Sequence, residues 1–123
     1  MLDVESLIWE RLNDLDGVWV SSENDPSIVF PAVVYSVSGE GQSGNGPNLW
    51  RVNLTVNVSV SPADYGIVDR VYNEIKSWAG RRSPSGHVTS VVDTDLMSRS
   101  GGTNVNGKQI NTYTGAFALI AHI

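Results

Sequence analysis

The chain lacks cysteine, so none of its 123 residues supplies a thiol. It can therefore form neither a disulfide nor a thiolate metal site, and it has no thiol nucleophile. No apolar run approaches the ~18 residues that a membrane-spanning helix needs. The first residues carry acids where a secretory signal carries positive charge. These absences predict a soluble protein that is not exported.

Basic residues are also few. Eight Lys and Arg stand against 13 Asp and Glu, which gives a net charge of -5. Nonspecific binding to nucleic acid depends on basic side chains that neutralise phosphates, so we expect no direct nucleic-acid ligand. Eight of the acids lie within residues 1–40, beside a single base, Arg11. This uneven charge suits a subunit that contacts copies of itself head to tail, although chance clustering on a solvated helix accounts for it equally well.

The strongest structural signal is the stretch 50–61. Six apolar residues alternate there without a break with six polar ones, which is the period of a β-strand with one buried face. Ordering its backbone costs about 12–24 kcal/mol, whereas burying the apolar side chains contributes at most about 9–18 kcal/mol. The strand therefore needs helices and other strands to cover its apolar side. That side consists of Trp50, Val52, Leu54, Val56, Val58 and Val60.

Hydrophobic spacing of three and four residues predicts two amphipathic helices. The first covers residues 4–15, with Asp3 as its N-cap and Gly17 placed to end it. The second covers residues 62–79 and begins behind a Ser61 cap with proline at its first position. Each helix has one apolar stripe, so each can cover one face of a sheet.

Four further segments, rich in β-branched residues and bounded by turn residues, are typical of strands: 18–20, 28–37, 87–96 and 110–123. Two polar, glycine-rich segments, 38–48 and 98–107, are predicted to be flexible loops. The order is therefore α-β-β-β-α-β-β. It predicts a two-layer α+β fold, in which two helices pack on one face of a mostly antiparallel sheet of about five strands. We expect one domain over residues 1–123.

Motifs that would carry chemistry are weak. Residues 39–44 match GxGxxG, but a Gly-Pro pair and a strand follow where a nucleotide site needs a helix N-terminus. Asp93 and Asp95 lie on one side of a strand and could hold a hard cation, yet no third acid is near in sequence. His87 and His122 have no metal-ligand partner at short spacing. The sequence thus indicates no catalytic residue, no cofactor and no metal.

Several features, taken in order, carry a family resemblance. An N-terminal amphipathic helix precedes Phe-Pro-Ala-Val-Val-Tyr at 30–35, and a glycine-rich loop follows. A long alternating strand then ends in Val-Ser-Val-Ser at 58–61, before a helix with an Ala/Ile/Val pattern and a final Tyr-Thr-Gly-Ala-Phe strand at 113–117. In this order they resemble the tail terminator proteins of long-tailed bacteriophages, also called tail completion or head-tail joining proteins. The similarity covers nearly the whole chain.

The resemblance implies a structural virion protein that is not an enzyme. Subunits of that family have an α+β fold and assemble, typically as a hexameric ring, on the end of the finished tail tube. The ring stops tube polymerisation and presents a surface to the head. The implied partners are other copies of the chain, the tail tube protein and the head-tail connector protein. The implied location is the tail or neck of the virion, after assembly in the host cytoplasm.

Two alternatives stay open. The chain could be another neck, connector or tail tube subunit. From a different class, it could be a small ligand-binding domain or enzyme with a pocket between helices and sheet. Seven charged residues in or beside predicted loops, turns and the end of the first helix are candidate assembly contacts: Asp14, Asp16, Glu40, Arg81, Arg82, Arg99 and Lys108.

Overall fold

The computed structural model describes residues 2–15, 17–22, 30–42, 49–80, 82–83 and 86–122. These ranges contain two α-helices and six β-strands, in the order α1 (Leu2–Leu12), β1 (Trp19–Ser21), β2 (Ala32–Gln42), β3 (Leu49–Val60), α2 (Gly66–Lys76), β4 (Arg82–Ser83), β5 (Gly86–Val105) and β6 (Lys108–His122). The predicted two-layer α+β class is confirmed. Neither helix is long and apolar enough to cross a membrane.

All six strands form one sheet in the order β1-β2-β3-β6-β5-β4. β1 pairs parallel with β2, and the other neighbouring strands pair antiparallel. The sheet is therefore mostly antiparallel, as predicted. It has six strands rather than about five because Arg82 and Ser83, predicted to lie in an exposed turn, pair with the start of β5.

β3 lies in the interior of the sheet, between β2 and β6, and its predicted buried face is confirmed. Alternate side chains of β3 point into the core and are completely shielded from solvent: Val52, Leu54, Val56, Val58 and Val60. Trp50, the first member of the predicted set, is only partly buried because it lies near the strand end. The polar residues between them point to the opposite face of the sheet.

The two helices form the second layer, and their apolar stripes join the inward face of the sheet in one core. From the helical layer this core contains Leu7, Ile8, Leu12, Leu15, Val68, Val71, Ile75 and Trp78. From β2 and β6 it contains Tyr35, Phe117, Leu119 and Ala121. Both predicted helices are thus present on one face.

The ends of α1 differ from the prediction. The helix begins at Leu2, so Asp3 lies inside the first turn and is not an N-cap. The α-helix ends at Leu12, but the next three amides still donate to carbonyls three or four residues earlier. Leu15 therefore stays buried. Gly17 has a φ of 72° and lies in the turn that follows, where the left-handed conformation favours glycine.

The second helix is shorter than the predicted span 62–79. Pro62–Asp64 forms a 3-10 helix that leads into α2. Ser61 precedes it as predicted, but the Ser61 hydroxyl donates to Oδ2 of Asp64 (3.0 Å) and not to a backbone amide. The tighter turn changes the helical phase, which leaves Ala63 exposed although the sequence pattern placed it on the buried stripe.

Both predicted loops are partly wrong. Residues 98–105 belong to β5, which joins β6 through a tight turn at Asn106 and Gly107, both with positive φ. Residues 38–42 belong to β2, which has a register shift between Ser38 and Gly41, while residues 43–48 lie outside the described ranges. Composition misled here because backbone pairing needs no apolar side chains.

β5 is irregular along its pairing with β6. Four register shifts interrupt the ladder, and β5 contributes the additional residue at each. Two of them lie after Val88 and after Asp93. Bulges bend a strand and increase its twist. They also make the outer edge of β5 a poor template for pairing with a further strand.

The buried face of β3 generates a first prediction. Val56→Asp should place an unpaired charge in the core and lower the free energy of unfolding by several kcal/mol, leaving the protein insoluble. Solubility and urea denaturation measure this. Asn53→Asp, on the exposed face of the same strand, is the matched control and should stay folded. A soluble, cooperatively folding Val56→Asp protein would show that the faces of β3 are reversed.

Gly115 generates a second prediction. It pairs with Val56, and a Cβ at this position would overlap Sδ of Met97 on β5. Gly115→Ala should therefore cost about 1–3 kcal/mol of stability, and most of that cost should vanish in a Met97→Ala background. Gly101→Ala is the control, since its Cβ would meet no atom within 4 Å. Equal costs in both backgrounds would exclude this packing.

Candidate assembly surfaces

The sheet face opposite the helices is open in the described part of the chain. We call it the open face. On β3 and the strands beside it, the described side chains of this face are mostly hydroxyls and amides. Only Arg51 among them is charged. The strand period accounts for this, because the polar residues of β3 all point away from the helices.

Side-chain hydrogen bonds cross the strands of the open face. The Thr114 hydroxyl on β6 donates to Oδ1 of Asn57 on β3 (2.7 Å) and lies 2.7 Å from Oγ of Ser100 on β5. The hydroxyls of Ser59 and Thr112 lie 3.0 Å apart. Cross-strand pairs of this kind stabilise a sheet by about 0.2–1 kcal/mol each, so these bonds hold the face as a rigid surface.

The same face carries an apolar group. Val92 is 55% exposed, and Ala116, Ala118 and Ile120 on the neighbouring strand are half-buried. Four long strands about 4.8 Å apart give this face an area of roughly 700 Å². A typical protein interface buries about 800 Å² on each partner and is depleted in charge at its centre. In size and composition the open face is typical of a protein-binding surface.

A second surface is the end of the β5–β6 hairpin, residues 98–111, which we call the arm. Its last three residue pairs, from Thr103 and Ile110 to the turn, extend beyond the end of β3. Nearly all of its side chains are exposed; Ile110 and Asn111 are the buried exceptions. A two-stranded ribbon is only marginally stable by itself, so side-chain contacts matter here.

Asn111 holds the arm together from one side. Its Oδ1 accepts hydrogen bonds from Nη2 of Arg99 (3.0 Å) and from Nε2 of Gln109 (3.2 Å). Gly102 faces this site, and a Cβ there would come within 2.9 Å of the Arg99 nitrogen. Glycine at this position therefore leaves space for the guanidinium, which is fixed in place while Arg99 stays exposed.

A groove of about 310 Å³ lies beside the outer end of the arm, whose turn forms part of its lining. Phe30 and Pro31 form part of its apolar lining, and Asp64 and Lys108 bring opposite charges to it. The groove separates the arm from the 3-10 helix. It contains none of the histidines, and Asp93 does not line it.

A polar cluster links α2 to β5. The Tyr72 hydroxyl donates to Oδ2 of Asp93, and Nζ of Lys76 lies 3.2 Å from Oδ1 of the same carboxylate. The lysine contact lacks the angles of a hydrogen bond, so it is an ion pair. The sequence offered Asp93 as a possible cation ligand, but both of its carboxylate oxygens contact side chains of α2. Among the described residues, no group of three or more His, Asp or Glu could hold a metal ion.

These contacts change two pKa values. The hydrogen bond from Tyr72, and then the nearby Lys76 ammonium, hold the pKa of Asp93 below its ordinary 3.8 although partial burial opposes them. The pKa of Tyr72 is raised above 10.0, first because its proton is shared with Asp93 and then by burial and the carboxylate charge. Both shifts favour a protonated tyrosine beside an ionised aspartate, which is the arrangement that ties α2 to the sheet.

The structure places the predicted contact residues in different regions. Arg99 and Lys108 both lie on the arm, and Asp14 is exposed in the turn after α1. Arg82 lies in β4 and Glu40 in β2, but their side chains are outside the described set. Asp16 and Arg81 are likewise outside it. His87 and His122 pair across β5 and β6, with side chains that are also not described.

Sequence reasoning missed three exposed apolar residues and the polar link. Trp9, Tyr65 and Val92 are each about half exposed. The alternation of β3 contained the signal for the open face, because its polar residues are uncharged apart from Arg51. No sequence pattern indicated that Tyr72 would meet Asp93, which lies 21 residues later on another element.

No protein-family model and no curated protein matches the chain. We therefore interpret the open face, the arm and the helical layer from their own residues.

The Asp93 cluster generates a third prediction, on pH. Because the pKa of Asp93 is lowered on folding, its contribution to stability is present above about pH 3.8 and is lost as the pH falls through the lowered value. The stability difference between wild type and Asp93→Asn should therefore be large near neutral pH and shrink in acid. Urea unfolding across this range measures it.

Asp69→Asn, an exposed aspartate on α2, is the control for that experiment. Its stability difference from wild type should stay small at every pH. At alkaline pH, the contribution of Tyr72 to stability is present below about pH 10.0 and is lost as the pH rises through its raised pKa. Tyr72→Phe should therefore remove this alkaline decrease in stability. A pH-independent difference for Asp93→Asn would contradict the proposed link.

Proposed function

We propose that this chain is a structural subunit of a long-tailed bacteriophage virion, a tail terminator that forms a ring on the end of the tail tube. The ring stops tube polymerisation and provides the interface for head-tail joining. The assignment to a phage virion comes from the family resemblance. The observation that carries the proposal is the one-sided sheet, which has helices on one face and, on the other, an interface-sized surface with Arg51 as the one charged residue among the described side chains alongside β3.

The composition of the open face supports a role in contact. A sheet face that stays in water usually carries charged residues of both signs, which keep a protein soluble. Among the side chains described alongside β3, one arginine accompanies hydroxyls, amides and the exposed Val92. Hydroxyl and amide groups that already bond across the strands lose little when a partner covers them, because they are not left unpaired. This surface suits the flat end of a tail tube.

A ring explains how growth ends. Each subunit of a closed ring uses two different patches, one for each neighbour, and closure of the rotation limits the number of subunits. The ring then matches the tube on one side and lacks, on its other side, the surface that a further tube layer would need. Termination of this kind is occupancy of the tube end. It uses shape and contact, and we assign no catalytic residue and no cofactor to it.

The ionisable side chains that could take part in a reaction, among those described, have structural roles in this proposal. Asp93 is engaged by Tyr72 and Lys76, which tie α2 to β5. Arg99 is held by Asn111 within the arm. Such bonds stiffen the surfaces that meet a partner, and a rigid surface loses less entropy on binding.

A fourth prediction tests the function. Light scattering and electron microscopy of the purified protein, alone and with isolated tail tubes, should show rings and tubes of fixed length capped at one end. Open-ended tubes made by this protein alone would make it a tube subunit instead. A protein that neither forms rings nor caps tubes would overturn the proposal.

The open face is tested in the same samples with Val92→Glu. Val92 is already exposed, so the variant should fold normally while a charge placed within the contact reduces the capped fraction at least about tenfold. Ala63→Glu, an exposed alanine on the 3-10 helix, is the matched control and should cap as wild type does. Unchanged capping by Val92→Glu would remove the open face from the tube contact.

A further inference from the structure

We infer that the arm of one copy docks on the outer surface of α1 in the neighbouring copy, and that this contact joins the subunits of the ring. The inference rests on the proposed function, because it names the contact between copies. It depends on three observations: where the two elements lie in the sheet, their opposite charges, and an exposed tryptophan on α1.

Position in the sheet comes first. α1 packs beside β1, and β1 is one edge of the six-stranded sheet. The arm belongs to the β5–β6 hairpin, and β5 lies near the other edge, where the two residues of β4 pair with its first residues. The arm and α1 of one chain are thus at opposite ends of the strand order. They are placed for contact with two different neighbours, as a head-to-tail ring requires.

Charge differs between the two elements. The arm, residues 98–111, contains Arg99 and Lys108 and no acid. Residues 2–15, which contain α1 and its following turn, hold four acids and one base. That base, Arg11, is buried, whereas Asp14 is exposed. Among the described side chains, Glu10 and Asp14 make the surface of α1 and its turn negative, whereas the arm is positive, so copies attract each other in this orientation and repel in the reverse one.

Trp9 gives the α1 surface an apolar centre. Its side chain is 52% exposed on the outer side of the helix. Asn13 follows one turn later and donates through Nδ2 to the Trp9 carbonyl (3.0 Å), while Glu10 and Asp14 form the adjacent row. Tryptophan ringed by polar groups is typical of interface hot spots. Its ring face also attracts cations such as those of the arm.

Pairing of strand edges is a weaker alternative for the same neighbours. The outer edge of β5 carries four register shifts, which distort the row of backbone groups that another strand would need. The side chains of the arm, by contrast, are displayed outward on a ribbon that projects past β3. A side-chain contact therefore fits this edge better than a continuous sheet.

The fifth prediction reverses one charge. Lys108→Glu should raise the protein concentration at which half the subunits are in rings by about tenfold, because one contact at every interface turns repulsive. Asp14→Lys in the same chain should restore assembly. Asp69→Lys is the matched control, a charge reversal at an exposed residue of α2 that belongs to neither the arm nor the open face, and should form rings as wild type does. Sedimentation and electron microscopy measure the rings, with and without tubes.

The aromatic side of the contact is tested with Trp9→Ala. This side chain is half exposed, so the variant should keep its fold, checked by circular dichroism, while ring formation weakens by at least about tenfold. Ring formation should also weaken in wild type as salt is raised from about 0.1 M to 1 M, since screening shortens the range of the charges.

Three results would overturn the inference while leaving the proposed function intact. Lys108→Glu or Trp9→Ala could form rings at the wild-type concentration. Asp14→Lys could fail to rescue Lys108→Glu, which would exclude α1 as the docking surface. Wild-type rings could be insensitive to salt. By contrast, wild-type protein that forms no rings and caps no tubes overturns the function itself.

Discussion

The apolar face of β3 is the constraint on which the rest of this structure depends. Its inward side chains, from Val52 to Val60, are fully buried because β2 and β6 flank the strand and both helices cover it. Neither helix has enough buried surface to be stable alone, and neither does the strand. They stabilise one another through one shared core. That core fixes which face of the sheet is covered and therefore which face stays open.

From this constraint follows the separation of surfaces. The covered face positions α1 at one edge of the sheet, and the hairpin beyond β3 positions the arm at the other. Hydroxyl and amide pairs make the open face rigid without using charge, and the Tyr72–Asp93 bond ties α2 to β5. Each surface is thus presented by elements that the core holds in place. Assembly by contact needs surfaces of this kind more than it needs a pocket.

The sequence predicted the elements better than their limits. The sequence predicts both helices and the long strands, because an apolar period of 3.6 or 2 residues shows which side chains of a helix or strand are buried. The Ser, Gly, Asn and Thr residues of 98–107 predict a loop, yet the segment forms most of the arm through backbone pairing. Of the candidate contacts, Arg99 and Lys108 both belong to the arm, whereas the exposed Trp9 and Val92 were not among the candidates because only charged residues were considered.

What the sequence determined by itself was local: the inward face of β3, the stripes of two helices and the α+β class, all consequences of side-chain period. The tertiary structure alone decided strand order, the open face, and the positions of α1 and the arm at opposite edges. Those features depend on hydrogen bonds between strands far apart in the chain. Backbone groups are the same at every residue, so the pairing partners leave little trace in the sequence.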